Sequence, residues 1–230
     1  MLVLKNGRDA YGGKEMMQTG DEKKESYRKM LEIMGCPCQV IDRRGAEQPL
    51  EELYLEKREQ GKREQGKRDG FVPLFIYPDE NFIDMVTTNL AESSMEMPES
   101  LLGRFEDGEA AEHFQEDTDY LTRQKSDVIL AEIPVDQPWK VLGWLPFGGW
   151  NQCPDSGRML AFAKRWYEMW GAVPAVMGAD TLQFYVDTPV ADQEQAEKLA
   201  MEQFGFCFTE EVMTLAGSLS RSHVWFFWWD

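Results

Sequence analysis

The sequence predicts an α+β protein: a ferredoxin-like β-α-β-β-α-β carboxyl-terminal half with an α/β amino-terminal companion. Three observations predict it. From Asp127 onward, short turn-bounded apolar runs and stretches of helical periodicity follow in the order strand, helix, strand, strand, helix, strand. With 230 residues, 43 % of them hydrophobic, the chain can build a real core as one large or two small domains. It ends in His223-Val-Trp-Phe-Phe-Trp-Trp-Asp230, a run too short to span a membrane and so aromatic that it reads as a strand.

Taken in order, Thr19-Gly-Asp-Glu22 has capping-box spacing, and Tyr27, Met30, Leu31 and Met34 then recur at helical intervals until Gly35. Cys38-Gln-Val-Ile-Asp42 reads as a short strand. Two tandem copies of Lys-Arg-Glu-Gln-Gly fill residues 57–66, with Lys67-Arg-Asp-Gly70 as a degenerate third. A five-residue period advances about 140° around a helix, so no face stays apolar, and the repeat reads as a solvated, fraying helix. A basic patch for RNA is disfavoured because acids interleave every copy. Gly70-Phe-Val-Pro-Leu-Phe-Ile-Tyr77 is the next strand, and Asp79 caps a helix bearing Phe82, Met85, Val86 and Leu90. Strand, helix, strand, helix suggests a right-handed parallel crossover within residues 1–91.

Residues 92–126 are expected as an acidic connector. Between 92 and 119 there are ten acids against Arg104 alone, a net of −9, which reads as a solvated link or, more sharply, as a docking surface for a basic partner. The unit at 127–230 then begins with Val128-Ile-Leu-Ala-Glu-Ile133. A loop rich in Gly and Trp leads to Asp155 or Ser156, which caps a helix with Met159, Phe162, Trp166, Met169 and Trp170, closed by Gly171. Val173–Met177 and Thr181–Asp187 form a hairpin across Gly178–Asp180, with Pro174 placing its strand at an edge or an end. Asp192 opens a helix bearing Ala196, Leu199, Ala200 and Phe204. In the final strand Trp225, Phe227 and Trp229 face one way and Val224, Phe226 and Trp228 the other. Each large ring buries roughly 150–250 Å², so both faces are expected to be covered.

The formal charge of −17 argues against nucleic-acid or anionic-membrane surfaces, which need clustered Lys and Arg, and favours a basic partner. No apolar segment has the length of a membrane span and no signal-peptide core follows Met1, so the cytoplasm is the default expectation. Four cysteines without paired C-x-x-C knuckles suggest reduced thiols and no metal; no cofactor motif is present.

The residues Leu142-Gly-Trp144, Asn151, Trp166, Gly171-Ala172, Asp180-Thr-Leu182, Pro189, Ala196, Glu202, Phe204, Phe206-Cys207 and the ending Trp225-x-Phe-Trp-Trp-Asp230 resemble a bacterial family of domains of unknown function, number four-two-five-three. The resemblance covers about 130–230. Members usually follow the Phe-Cys pair with Pro-Asp, where this chain has Phe208-Thr209. The family implies no established activity. It implies a recurring carboxyl-terminal unit with a variable first half.

Candidate ligand-binding residues are Trp150, Asn151, Asp180, Cys207 and Asp230. Cys207 or Cys153 with His223 has the types for a nucleophile and base, set against plain buried thiols. Gly148-Gly149 before Trp150 offers backbone amides but lacks phosphate-loop spacing. Asp230 combines a side-chain carboxylate and the terminal carboxylate after two tryptophans, and calls for a basic partner such as Arg158 or Arg165. Two function classes remain. One is a binding protein that neutralises a basic partner in the manner of an immunity protein. The other is a hydrolase or small-ligand protein with a site near Asn151, Asp180 and Asp230.

Overall fold

The computed structural model describes residues 20–64, 70–92, 114–118, 123–207 and 212–229. The chain runs α1 (Gly20–Met34), β1 (Cys38–Ile41), α2 (Leu50–Glu64), β2 (Val72–Ile76), α3 (Glu80–Glu92) and β3 (Val128–Ile133). A 3-10 turn at Pro138–Lys140 precedes α4 (Val141–Trp144), α5 (Ser156–Trp170), β4 (Val173–Met177), β5 (Thr181–Tyr185), α6 (Gln193–Phe206), α7 (Val212–Leu219) and β6 (Val224–Trp228). All six strands join one mixed sheet in the order β1-β3-β2-β4-β5-β6. This is an α+β fold.

The strand pairing departs from the ferredoxin-like arrangement. That sheet would seat β3 beside β5 and β6, but β3 pairs antiparallel with β1 and β2, and β6 pairs with β5 at the edge. The reason lies in β2, whose five residues are all buried. A strand apolar on both faces is driven to the sheet interior, and β2 takes the place between β3 and β4. Its parallel contact with β4 is brief, Phe75 to Val176 and Ile76 to Met177. Short pairing leaves room for Pro174, which sits at a bulge before β4 meets β2. β1 and β2 are both antiparallel to β3 and hence parallel to each other, with β3 lying between them.

Helices cover the two faces unequally. One face buries Met30 and Met34 of α1, Phe82 and Val86 of α3, Met159 and Trp166 of α5, Leu199 and Phe206 of α6, and Trp225, Phe227 and Trp229 of the last strand in a single cluster. The local signals for these helices are intact. Asp155 accepts the Arg158 N–H at 3.0 Å to cap α5, Gly171 ends it at φ 68°, and Asp192 caps α6 through the Gln195 N–H. The second face has α2, which packs Leu50 and Tyr54 over Phe75, Leu130, Tyr185 and Val224 together with Phe114.

Two stretches expected as solvated chain make specific contacts there, while 93–113 and 119–122 of the acidic connector lie outside the described residues. In the first repeat copy, Gly61 is buried, and a Cβ at that position would overlap the Phe71 carbonyl oxygen. Arg58 of the same copy lies over the Tyr54 and Tyr185 rings and pairs with Asp187. Within the expected acidic connector, residues 114–118 are docked. Glu116 accepts from buried Arg43 at 2.9 and 3.0 Å and meets Lys125 at 2.8 Å. Gln115 exchanges two hydrogen bonds of 2.8 Å with the Gln183 side chain of β5. An amide pairing both of its groups explains how a glutamine is tolerated at a buried strand position.

Candidate functional site

Three of the sequence candidates gather at one end of the sheet. Asp180, in the β4–β5 turn, accepts the Trp228 indole N–H at 2.8 Å through its carboxylate and the Trp229 N–H at 3.0 Å through its carbonyl. The Cys207 thiol, just past α6, donates to the Trp228 carbonyl at 3.0 Å. Trp150 stands edge-on to Trp229 and to Phe147, at centroid distances of 6.4 and 4.9 Å. Asn151 is exposed in the same loop at φ 44°. The expected role of Asp230 lies outside the described residues.

The loop from Leu145 to Pro154 is built to dock. Gly148 and Gly149 take φ of 105° and 96°, and a Cβ on Gly148 would overlap the Pro154 carbonyl oxygen. The Asn89 side chain of α3 donates to the Gly148 carbonyl at 2.9 Å and the Pro146 carbonyl at 3.3 Å. The two glycines therefore serve a tight turn, and their amides point to Met85 Sδ and the Pro154 carbonyl rather than to an anion.

Cys207 and His223 occupy opposite ends of β6, five residues of strand or about 16 Å apart. They do not form a nucleophile–base pair. The His223 ring instead stacks on Tyr185 with its Nδ1 at 2.9 Å from the Val186 carbonyl oxygen. Cys153 is buried, and burial pushes its thiol well above the ordinary range. These thiols are core atoms.

Carboxylates mark the same end. Asp79 follows β2 and caps α3 through the Phe82 N–H at 2.7 Å. Its pKa is raised, first by burial and then by the nearby charges of Asp180 and Asp117. The outer face of β6 meets Asp180 through the Trp228 indole. Val224 is buried beneath α2, but Phe226 and Trp228 are 37 % and 41 % exposed. This corrects the expectation that both faces of the strand are covered: among the described residues, α2 and Phe114 reach Val224 but not Phe226 and Trp228. Trp229 N and His223 O point to β5, so by alternation the backbone of Val224, Phe226 and Trp228 points outward. Ser222 Oγ caps Val224 and Cys207 caps Trp228, which blunts this edge against continuous strand pairing.

A cleft of about 420 Å³ lies elsewhere, between α5 and α6, lined by Arg165, Trp170, Gln195, Lys198 and Glu202 among others. Arg165 and the Trp166 indole both donate to Glu202, so the charges along that cleft are largely paired. Glu202 was legible as one of the polar residues of the aromatic half and through the family resemblance, and nothing in the sequence marked Asp79, Phe226 or Trp228 as surface groups.

These features define a mixed α+β protein with an exposed aromatic strand face beside the Asp180 carboxylate. Residues 129–230 match the family model described as Domain of unknown function (DUF4253). No curated protein and no solved structure matches the chain. Among the described residues no helix is long and apolar enough to cross a membrane.

Proposed function

We propose that the protein binds a cationic segment of a protein partner on the outer face of β6. The observation that carries this reading is the exposure of Phe226 and Trp228 beside Asp180, whose carboxylate already fixes the Trp228 indole. Two adjacent exposed aromatics on a sheet face are a recognition feature in a way that one scattered apolar residue is not. An arginine or lysine from a partner stacks on the indole next to the Asp180 carboxylate, gaining both cation–π and charge–charge attraction. The net charge of −17 steers such a partner toward the protein. Neutralising a basic protein, as an immunity protein does, is one role this chemistry serves.

The test is titration with an alternating lysine–valine peptide and its glutamate–valine counterpart, followed by calorimetry. Binding of the lysine peptide alone is expected, weakening as salt is added and falling at least ten-fold in the Phe226→Ser/Trp228→Ser double variant. Equal affinity of the double variant, or equal binding of the acidic peptide, overturns the reading. So does a dimer in sedimentation that the double variant dissolves, since the face would then be occupied by a second copy.

A further inference from the structure

Cys36 lies between α1 and β1 and Cys38 opens β1, far in sequence from the aromatic half. Their sulfurs are 3.8 Å apart and both residues are half-buried, so the pair is within reach of a small reagent. The backbone around them is fixed. Gly35 ends α1 at φ 62°, the Met34 carbonyl accepts the Trp144 indole N–H at 2.8 Å, and the Pro37 carbonyl accepts the Glu132 N–H at 2.9 Å. Cys38 is registered opposite Ala131 of β3, and Pro37 itself has one accessible φ. The two thiols thus face one another because the chain holds them so.

Their positions are unequal: Cys36 lies in the turn after α1, whereas Cys38 is fixed as the first residue of β1, paired opposite Ala131. Hydrogen bonding from Cys38 lowers the pKa of Cys36, while Cys38 itself is held well above the ordinary thiol range. A thiolate is the attacking species in exchange, and a neighbouring thiol resolves the intermediate. Among the described residues no group of three His, Cys, Asp or Glu side chains is placed to share a metal ion.

We propose that Cys36 and Cys38 form a redox-active dithiol that exchanges with a low-molecular-weight disulfide, Cys36 attacking and Cys38 resolving. The Cys36 thiolate attacks one sulfur of the incoming disulfide, whose S–S bond breaks; the departing half leaves as a thiolate and takes up a proton. Cys38 then gives its proton to solvent and attacks the Cys36 sulfur. The second half leaves as a thiol, and a Cys36–Cys38 disulfide closes. Two protein thiols are oxidised and one external disulfide is reduced to two thiols. A ring spanning only one intervening residue is strained and readily reduced, which makes the exchange reversible.

The full-length native protein is incubated with oxidised glutathione, quenched in acid and mapped by mass spectrometry. Loss of two hydrogens is expected in the peptide that holds Cys36 and Cys38, with Cys153 and Cys207 still free. The Cys38→Ser variant is expected to keep one glutathione on Cys36. The Cys36→Ser variant is expected to react at least ten-fold more slowly. The wild-type protein gives a check that needs no variant: iodoacetamide should label Cys36 before any other cysteine. Unreacted thiols, glutathione on both Cys36 and Cys38 without ring closure, a disulfide elsewhere, equal rates for the two variants, or first labelling at another cysteine overturns the proposal.

Discussion

On the helix-covered face of the last strand, Trp225, Phe227 and Trp229 are buried against Trp166, Phe184 and Phe206, whereas on the other face Val224 alone is buried and Phe226 and Trp228 meet solvent. Composition does not separate the two faces. What separates them is the number of elements laid against each, since several helices crowd one side and α2 with residues 114–118 covers only part of the other. Aromatic density in a strand states how much can be buried. It does not state how much is.

The contrast is sharpest in stability. Trp166 packs edge-on to Trp225 and Phe206 and parallel to Phe227 at 5.4 Å, so Trp166→Ala is expected to cost about 3–5 kcal/mol. The Phe226→Ser/Trp228→Ser protein, altered at two partly exposed strand positions, loses the Trp228–Asp180 hydrogen bond and some strand propensity, and is expected to be less stable by about 1 kcal/mol per site. Urea midpoints decide this. A large loss in the double variant would mean that the outer face is covered in solution.

The second face depends on a few specific contacts rather than on bulk. Arg43 is almost fully buried and holds Glu116 through two hydrogen bonds. Removing one partner of a buried pair strands the other, and Arg43→Ala is expected to cost about 3 kcal/mol, at the low end because Lys125 still reaches Glu116. Gly61→Ala comes next. Alanine improves helix propensity by about 1 kcal/mol, but its Cβ meets a backbone carbonyl that cannot turn aside. Overpacking of this kind costs about 1–3 kcal/mol, so a net loss is expected in thermal melts. Deleting one repeat copy should do less than Gly61→Ala. The shortened sequence keeps one Lys-Arg-Glu-Gln-Gly copy on α2, and the segment removed lies between two points, Gly61 and Phe71, that already touch.

Local signals in the sequence proved legible where the interaction they describe is itself local. Asp155 and Gly171 bracket α5, Asp192 opens α6, and the Gly178–Asp180 turn joins β4 to β5. The alternation along Val224–Trp229 assigned each ring to its side. Strand order was not legible, because the insertion of β2 between β3 and β4 joins residues about a hundred positions apart. The same holds for the docked Glu116, whose partner Arg43 lies 73 residues away. Trp150, Asp180 and Cys207 were named from their residue types and lie at one end of the sheet, while Asp79 was read only as a helix cap. Its second property, a carboxylate crowded by two others, arises from tertiary placement alone.

The smallest expected effect probes the acidic end that adjoins the exposed face. Asp79 has a raised pKa because burial, then Asp180 and Asp117, disfavour its charge. A group whose folded pKa lies above its unfolded value contributes stability that is complete below the unfolded pKa and is lost as pH rises through the folded one. At neutral pH the ionised Asp79 therefore weighs against folding. Asp79→Asn keeps an oxygen to cap the Phe82 N–H of α3, so it removes the unfavourable charge without removing the cap. The variant is expected to show a higher urea midpoint than the parent at pH 7, with the two curves converging below about pH 4, where the unfolded aspartate is protonated as well. An unchanged or lower midpoint at pH 7 would show that the charge on Asp79 is no net cost to the folded protein, and that burial beside Asp180 and Asp117 does not govern this end of the sheet.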